Sequence, residues 1–334
     1  MNVLAIGDRF IPAEVLDAGL EGLKGHGASV TVREWHHPSL KELQRDNLLI
    51  EQGGPGAVCL PDELISDVAQ YDLLIVQFPP ISHEVISRAT KLKFIGVLRA
   101  GVENVACDYA ATRGIQVINT PGRNARTVAE FTLAMMLTET RNIARAHAAM
   151  KRGVWRKEYP NSAAIPELYG KTIGIVGYGN VGRLIAGYLQ AFGARIVFYD
   201  PFVTGDTGGP KSVSLTELLQ TSDIVSLNLR LSEETFHLIG AQQLALMKSS
   251  AVLVNTSRSG VIDQAALIDA LRRRQIMGAA LDVYDVEPLA PDDPLLQLDN
   301  VTLTSHMAGS TIDAFSNSPG LFVDRFIAAH PEVF

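Results

Sequence analysis

The 334-residue sequence lacks the features that mark several large classes of protein. It has two cysteines, Cys59 and Cys107, and neither belongs to a Cys-x-x-Cys pair, so we predict no disulfide framework and no metal site. So few cysteines favour a reducing compartment, and we expect a cytoplasmic protein. The N-terminal apolar run has no basic start, and no run of about 18 apolar residues occurs, so neither a secretion signal nor a membrane span is expected.

An excess of positive charge is also missing. Lys and Arg total 29 and Asp and Glu total 36, which gives a formal charge of −7. A chain without clustered cations is a poor ligand for a phosphate backbone, so we predict no nucleic-acid partner. Hydrophobic residues make up 47% of the sequence, which excludes a disordered chain. A chain of this length is expected to form about two domains.

The sequence does contain short runs rich in Val and Ile that alternate with longer segments of helical periodicity. Strands that alternate with helices form parallel βαβ units. We therefore predict an α/β protein with two doubly wound, Rossmann-like parallel sheets. The predicted strands are Val3–Gly7, Ser29–Arg33, Asp72–Phe78, Phe94–Leu98, Gln116–Asn119, Thr172–Val176, Arg195–Tyr199, Asp223–Leu227, Ala251–Asn255, Gly278–Asp282 and Asn300–Thr304.

One predicted helix is longer than the others. Thr127–Arg152 contains no Pro or Gly, and it lies between the two series of strands. Gln52–Pro61 is rich in Gly and Pro and predicts a loop. The other predicted helices are Ala13–Lys24, Pro61–Gln70, His83–Thr90, Val181–Phe192, Leu215–Gln220, Ala241–Met247, Gln264–Arg274 and Thr311–Ala329, the last interrupted at Pro319-Gly320.

A glycine-rich turn opens the second series. Gly177, Gly179 and Gly182 match the pattern G-x-G-x-x-G, with an apolar strand directly before it and a helix directly after it. The first Gly allows a tight turn, the second lets the backbone approach a pyrophosphate, and the third lets helix and strand pack closely. The helix N-terminus faces the negative charge. The turn therefore predicts a dinucleotide site.

Asp200 indicates which dinucleotide binds. It ends the strand after the turn, about 20 residues further along the chain, where a carboxylate accepts the ribose hydroxyls. The same negative charge repels a 2′-phosphate. We therefore predict that the cofactor is NAD rather than NADP.

Four charged or titratable residues, Arg258, Asp282, Glu287 and His306, follow strands of this second series. Ligands of open parallel sheets bind beyond the carboxyl ends of the strands, so we expect these side chains near the cofactor. A histidine suits the proton transfer that accompanies hydride transfer at a hydroxyl. Glu287 would fix its tautomer, and the planar fork of Arg258 would bind a substrate carboxylate.

Together with the glycine turn, a set of motifs resembles the D-isomer-specific 2-hydroxyacid dehydrogenase family. The motifs are Arg99-Ala100-Gly101-Val102-Glu103-Asn104-Val105, Asn119-Thr120-Pro121-Gly122, Thr127-Val128-Ala129-Glu130, Asn255-Thr256-Ser257-Arg258, Leu281-Asp282-Val283 with Glu287-Pro288, and His306-Met307-Ala308-Gly309. The resemblance implies a flavodoxin-like substrate domain, an NAD-binding domain, and hydride transfer between NAD and C2 of a D-2-hydroxy acid. It also implies a homodimer in which the long helix reaches the partner subunit.

The resemblance implies roles for individual residues. Arg258 resembles the arginine that binds the substrate carboxylate and keto oxygen, His306 the acid/base, and Glu287 its paired carboxylate. The other implied contacts are Asn180 and Val181 with the pyrophosphate, Thr256 with the nicotinamide ribose, Asp282 with the nicotinamide amide, and the backbone amides of Ala100 and Gly101 with the substrate carboxylate.

The order of the motifs predicts where the domains meet. Residues 1–119 and 308–334 would form the substrate domain, and residues 120–307 the NAD-binding domain between them. Three positions depart from the family's pattern: Arg230 replaces a common Pro, Ser259 a common Gly, and Met307 an Ile or Val. None of these changes removes a catalytic group.

The sequence leaves the substrate and two other interpretations open. Phe78-Pro79-Pro80 lacks the Ser/Arg cluster that phosphoglycerate enzymes place around the substrate phosphate, which argues against D-3-phosphoglycerate without excluding it. A catalytically silent NAD-sensing protein of the same fold is an alternative, and an intact Arg, Glu and His set argues against it. Another Rossmann enzyme, such as an alanine dehydrogenase or a homocysteine-nucleoside hydrolase, is the other.

Overall fold

The computed structural model of the protein describes residues 1–162, 165–205 and 208–333. The chain forms two compact units, Met1–Asn124 with Ser310–Phe334 and Ala125–Gly309. Each unit is built on one parallel sheet, so the predicted fold class is confirmed. In the described ranges, no helix has the length and apolar character that crossing a membrane requires.

The strands agree with the predicted ones to within two residues at each end, and the short β8 was not predicted. Strand order is β2-β1-β3-β4-β5 in the first sheet and β12-β11-β10-β9-β6-β7-β8 in the second. Because neighbouring strands are parallel, the carboxyl ends of each sheet lie along one edge. The strands are β1 (Asn2–Gly7), β2 (Ser29–Glu34), β3 (Leu73–Val76), β4 (Phe94–Val97), β5 (Gln116–Asn119), β6 (Thr172–Val176), β7 (Arg195–Tyr199), β8 (Lys211–Ser212), β9 (Ile224–Leu227), β10 (Val252–Asn255), β11 (Gly278–Leu281) and β12 (Val301–Leu303).

Both faces of each sheet are buried, as a doubly wound fold requires. In β1, Leu4 and Ile6 enter one apolar cluster, whereas Val3 and Ala5 enter another on the opposite face. The helices are α1 (Ala13–Gly19), α2 (Glu21–Gly25), α3 (Leu40–Gly53), α4 (Asp62–Ile65), α5 (His83–Arg88), α6 (Cys107–Thr112), α7 (Ala125–Thr140), α8 (Ile143–Lys151), α9 (Asn180–Ala191), α10 (Leu215–Thr221), α11 (Ala241–Leu246), α12 (Gln264–Arg272), α13 (Ile312–Ser316) and α14 (Ser318–Ala329).

The prediction of one long helix over Thr127–Arg152 is wrong, because α7 and α8 are separate. Asn142 adopts a left-handed backbone conformation with φ 57°, which ends the helical path without Pro or Gly. Asn tolerates this region better than most residues because its short side chain bonds locally. Here its side-chain amide donates to Oδ1 of Asn161 at 2.6 Å, while Arg145 donates to its side-chain oxygen at 3.2 Å.

A buried ion pair ties α7 to the second sheet. Both oxygens of Glu139 accept from Arg145, at 2.9 and 2.8 Å, and Thr302 on β12 donates to the same carboxylate at 2.7 Å. Burial raises the pKa of Glu139, and the charge of Arg145 opposes that shift. Gly278 on β11 lies directly against the carboxylate, where a Cβ atom would collide with it.

Other helices of the first unit also differ from the predictions. The predicted helix Pro61–Gln70 is divided into α4 and a 3-10 turn over Val68–Gln70, and α6 was not predicted. The predicted helix Ala13–Lys24 is divided into α1 and α2 at Leu20. Helix α3 was not predicted, although Ser39 caps it by accepting from the backbone of Glu42 at 3.3 Å. In the C-terminal segment the break falls at Asn317, and Pro319 lies in the first turn of α14, where a missing N–H costs nothing.

The chain passes from one unit to the other a few residues later than predicted. Residues 120–124 stay with the first unit because Thr120 donates to the carbonyl of Val97 and Arg123 to that of Ala314. Residues 308 and 309 stay with the second unit because the N–H of Ala308 donates to Asp282. The divisions therefore follow residues 124 and 309 rather than 119 and 307.

Candidate active site

The glycine turn lies between β6 and α9 at the carboxyl edge of the second sheet. Gly177 has φ +91°, and a Cβ atom there would meet the carbonyl of Asn228 at 2.6 Å. A Cβ atom on Gly182 would collide with the carbonyl of Gly177. At Gly179, by contrast, the described residues place no atom within 4 Å of that position, apart from the glycine, its chain neighbours and the backbone of its own helix. Packing thus requires the outer glycines, whereas the middle one leaves open space for a ligand to approach the backbone.

The N-terminus of α9 faces this space with free amides. The N–H groups of Asn180 and Val181 come too early in the helix to have a partner within it, and among the described residues no side chain caps this end. Twelve residues of aligned peptide dipoles favour negative charge at this end. The turn and helix therefore suit a pyrophosphate, as the sequence predicted for these residues.

Asp200 follows β7 and holds the turn in shape. One oxygen accepts from the backbone N–H of Tyr178 at 2.8 Å, and the other from that of Phe202 at 3.0 Å. Tyr178 in turn stacks on Phe198 with ring centroids 4.0 Å apart. The half-buried carboxylate keeps lone pairs for further donors, so it suits a pair of ribose hydroxyls.

His306 and Glu287 are brought together, as predicted. Nδ1 of the ring lies 2.8 Å from Oε2 of Glu287, and Oε1 of that carboxylate accepts from the backbone N–H of Tyr284 at 3.0 Å. The imidazole is 49% exposed, and its Nε2 meets no partner among the residues that the structure describes. One ring nitrogen is thus fixed by a carboxylate, while the other is free to exchange a proton with a ligand.

Asp282 holds the loop that carries His306. Its carboxylate accepts the N–H of Met307 at 3.0 Å, the N–H of Ala308 at 2.8 Å and the hydroxyl of Thr304 at 2.6 Å. The side chain is fully buried. The contact with the nicotinamide amide that the resemblance implies stays a prediction, and the geometry gives this carboxylate a positioning role that the sequence did not indicate.

Tyr284 joins the ends of β11 and β12 and was not singled out from the sequence. Its hydroxyl donates to the carbonyl of Thr304 at 2.7 Å and accepts from the N–H of the same residue at 3.1 Å. Burial raises the pKa of Tyr284 to about 12, so the hydroxyl stays protonated and keeps donating. It thereby supports the loop that leads to His306.

Arg258 and Thr256 follow β10, next to β11 in the sheet. Asn255 shapes this segment by donating to the carbonyl of Arg258 at 2.9 Å. The exposed guanidinium of Arg258 donates to the carbonyl of Ser257 and forms no ion pair with any described residue. The hydroxyl of Thr256 is buried against that of Thr132 at 2.7 Å, so its predicted ribose contact stays a prediction.

In the first unit, Ala100 and Gly101 follow β4. Within the described part of the chain, their backbone N–H groups meet no acceptor. Asn119 donates to the carbonyl of Ala100, and the carboxylate of Glu103 lies where a Cβ atom on Gly101 would be. Two neighbouring free N–H groups on a fixed loop suit an anion.

The chain is similar in sequence to known dehydrogenases and reductases. Residues 133–308 match the family model described as "D-isomer specific 2-hydroxyacid dehydrogenase, NAD binding domain". A glyoxylate reductase of Korarchaeum cryptofilum is 39% identical over 270 residues, which cover 79% of this chain and 81% of the relative. A D-3-phosphoglycerate dehydrogenase of Methanocaldococcus jannaschii is 40% identical over 76% of this chain, and the match spans about half of that relative, 48% of its length.

Solved structures agree with the fold. The TT0316 protein of Thermus thermophilus has a TM-score of 0.73 and 31% identity, with 99% of this chain and 97% of that chain covered. The second unit thus combines a matching family model with a glycine turn and an acid that suit NAD. The chain belongs to the D-isomer-specific 2-hydroxyacid dehydrogenase family of NAD-dependent oxidoreductases, and its second unit carries that family's NAD-binding domain.

Proposed function

We propose that this chain transfers a hydride between NAD and C2 of a D-2-hydroxy acid or the corresponding 2-keto acid. The observation that carries the proposal is the 2.8 Å contact between His306 and Glu287 at the carboxyl edge of the NAD-binding sheet. Bound NADH supplies the hydride for reduction of the keto group. The chain itself must then supply a proton to the developing alkoxide, which a histidine with one free ring nitrogen is suited to do.

Each charged residue has a separate task in this proposal. Nε2 of His306 donates the proton in reduction and accepts it in oxidation, while the carboxylate of Glu287 stabilises the imidazolium. Arg258, which lacks an ion-pair partner among the described residues, binds the substrate carboxylate and the keto oxygen as charge develops there. The intact pair favours an enzyme over a silent NAD-binding protein.

The first unit contributes through its backbone. We assign the free N–H groups of Ala100 and Gly101 to the substrate carboxylate, on the support of the resemblance and of the missing acceptors in the described residues. The relatives carry different substrate names, a glyoxylate reductase, a hydroxypyruvate reductase and a D-3-phosphoglycerate dehydrogenase, at similar identity. They therefore support the reaction class and do not choose the acid.

The test is NADH oxidation with a panel of 2-keto acids: glyoxylate, hydroxypyruvate, pyruvate, phosphohydroxypyruvate and longer sugar-derived acids. We expect steady turnover with at least one of them and a D-configured product by chiral chromatography. Turnover only with an amino acid or a nucleoside would instead favour another Rossmann enzyme. Saturable NADH binding without any turnover would favour the silent protein.

We also propose a cytoplasmic homodimer. The support for the dimer is a group of exposed apolar side chains on α8 and just after it: Ile143, Met150, Val154 and Trp155, the last 76% exposed. Apolar side chains clustered in this way are typical of a surface that is covered by a partner. Light scattering should give twice the chain mass, and Trp155→Glu should shift it towards the monomer.

A further inference from the structure

Three aromatic rings and two arginines form a cluster in the first unit, which we call the collar: Phe10, Phe78, Arg99, Arg123 and Phe315. Adjacent ring centroids lie 5.7 Å apart for Phe10 and Phe78 and 4.6 Å apart for Phe10 and Phe315. The three rings form a row with Phe10 in the middle. The guanidinium of Arg99 lies 5.2 Å from the ring centroid of Phe78 at one end, and that of Arg123 lies 4.8 Å from the ring centroid of Phe315 at the other end. The rings are half-buried, so part of each faces solvent.

The collar lies along the carboxyl edge of the first sheet. Its members follow β1, β3, β4 and β5 or belong to α13. Arg99 directly precedes Ala100 and Gly101, whose free N–H groups we assign to the substrate carboxylate. The collar therefore starts next to the point where one end of the substrate would be held.

The two arginines differ in how far they are neutralised. Arg99 donates to Glu51 at 3.1 Å and to Glu103 at 2.9 Å. Arg123 forms no ion pair with a described residue, and only its Nη1 has protein acceptors, the carbonyl of Ala314 at 3.2 Å and a weak contact at 3.5 Å. Its Nε and Nη2 have no acceptor in that part of the chain, so a two-pronged donor remains available.

The electrostatic surroundings of Arg123 favour an incoming anion. Burial, and after it the charge of Arg99, lower the pKa of Arg123 to about 10. Asp8 opposes this shift through its charge, but its carboxylate is bonded to the backbone N–H groups of Phe10, Ile11 and Phe78. An anion beside Arg123 would offset both the free-energy cost of burying its charge and the repulsion between the two arginines.

We propose that the collar receives the substrate's side chain and that Arg123 selects 2-keto acids that carry a second anionic group beyond C3. This inference rests on the proposed function and names its substrate class. The rings supply apolar contact for the intervening carbons, and the free fork of Arg123 binds a terminal carboxylate or phosphate. Phe78-Pro79-Pro80 itself contains no cation. Arg99 lies over the ring of Phe78, and Arg123 lies over Phe315 at the other end of the row of rings, so these two arginines provide the positive charge.

Two matched substrate pairs test the proposal and separate the two anions. Each pair differs in the terminal group: 2-oxoglutarate against 2-oxopentanoate for a carboxylate, and phosphohydroxypyruvate against hydroxypyruvate for a phosphate. With NADH, we expect kcat/KM of the parent protein to be at least about tenfold higher for the anionic member of one pair, the lower end for a hydrogen bond between charged groups. No preference in either pair would overturn the proposal.

Variants then assign the preference to Arg123. Arg123→Gln should reduce the ratio within the preferred pair about ten- to a hundredfold, and Arg123→Lys, which keeps the charge without the fork, should reduce it less. Arg88→Gln, which removes an arginine paired with Asp62 on the same unit, should leave the ratio unchanged. Equal losses for both members of the pair in Arg123→Gln would mean that Arg123 only supports the fold, and would overturn the proposal.

A binding measurement keeps the collar testable if the proposed function fails. Calorimetry on the NAD⁺-saturated protein measures the affinity for each member of the pairs without turnover. If no keto acid is reduced but the anionic member binds at least about tenfold tighter and Arg123→Gln removes the difference, the collar stands and the proposed reaction does not. Equal affinities in the parent protein would overturn the collar whatever the turnover.

Discussion

Glu287 binds the ring of His306 with one carboxylate oxygen, at 2.8 Å, and the backbone of Tyr284 with the other, at 3.0 Å. A carboxylate held at both oxygens cannot rotate freely, so the imidazole that it binds has a defined orientation and tautomer. The pair therefore combines a fixed base with a fixed charge, and the two contributions can be separated by substitution.

We expect His306→Ala to lower kcat by at least about a hundredfold, since general acid–base catalysis contributes about 10²–10⁴. NADH affinity, measured by fluorescence titration, should stay within about twofold. Glu287→Gln should lower kcat less, because the imidazole keeps both ring nitrogens and loses only the carboxylate that orients it and stabilises its charged form. The control is His237→Asn, an exposed histidine with the same left-handed backbone in the same unit. Parent-like turnover in His306→Ala would remove it from the mechanism.

Asp282→Asn separates a positioning role from a cofactor contact. An amide cannot accept all three hydrogen bonds, so the loop from Thr304 to Ala308 should loosen and kcat should fall about tenfold or more. The free energy of unfolding should fall by about 1–3 kcal/mol, because a buried donor loses its acceptor. If the carboxylate only positions the loop, the dissociation constant of NADH should hardly change. A loss of NADH affinity as large as the loss of kcat would favour the nicotinamide contact instead.

Asp200 should make NAD the preferred cofactor by more than about 2 kcal/mol, or about thirtyfold in kcat/KM, through a lost ribose bond and charge repulsion with NADP. Asp200→Ser should reduce this ratio mainly by weakening NADH binding. Asp269→Ser on α12, which removes an exposed acid of the same unit, serves as the control. Equal efficiency of the parent protein with NADH and NADPH would contradict this assignment.

Arg258 should tolerate neither Lys nor Ala. Ala removes the partner of the substrate carboxylate and Lys cannot form the planar fork, so kcat/KM should fall about ten- to a hundredfold, or about 1.5–3 kcal/mol. Loss in kcat as well as in KM would indicate a bond to the keto oxygen. Arg273→Ala, on an exposed helix end, should change kcat/KM by less than about 0.5 kcal/mol. If both Arg258 variants behave like Arg273→Ala, Arg258 lies outside the site.

The free energy of unfolding should depend on pH through the carboxyl group of Asp8. Burial raises the pKa of this carboxyl from 3.8 to about 6 in the folded protein, so the folded state binds more protons between these values. Asp8 therefore contributes up to about 3 kcal/mol to the free energy of unfolding below pH about 4, and this contribution is lost as the pH rises through about 6. Urea unfolding at several pH values should show that the free energy of unfolding declines less over this pH range in Asp8→Asn than in the parent protein. The same slope in both proteins would contradict the shift.

The sequence predicted what depends on periodicity and on local pattern. Short apolar runs identify the strands of both sheets. The spacing of Gly177, Gly179 and Gly182 identifies the turn, because packing excludes a side chain at the outer two positions and a ligand must approach the backbone at the middle one. The pairing of Glu287 with His306 was also predictable, since both follow neighbouring strands. Such patterns indicate where a residue lies along an element.

Contacts between distant side chains were not predictable in the same way. The break at Asn142 depends on Asn161, and the burial of Asp282 depends on a loop that comes more than twenty residues later. The collar brings Phe315 against Phe10 from the other end of the chain. In each case the residue type fits several environments, and only the folded chain selects one.

The contact between Gly278 and Glu139 constrains how this protein can change. Any side chain at position 278 takes the space of the buried carboxylate, and an expelled carboxylate leaves Arg145 and Thr302 without their acceptor. A Cβ atom at position 278 would also lie 2.8 Å from the carbonyl oxygen of Asn300, so a mutation at Gly278 disturbs the backbone before β12 as well as the ion pair on α7.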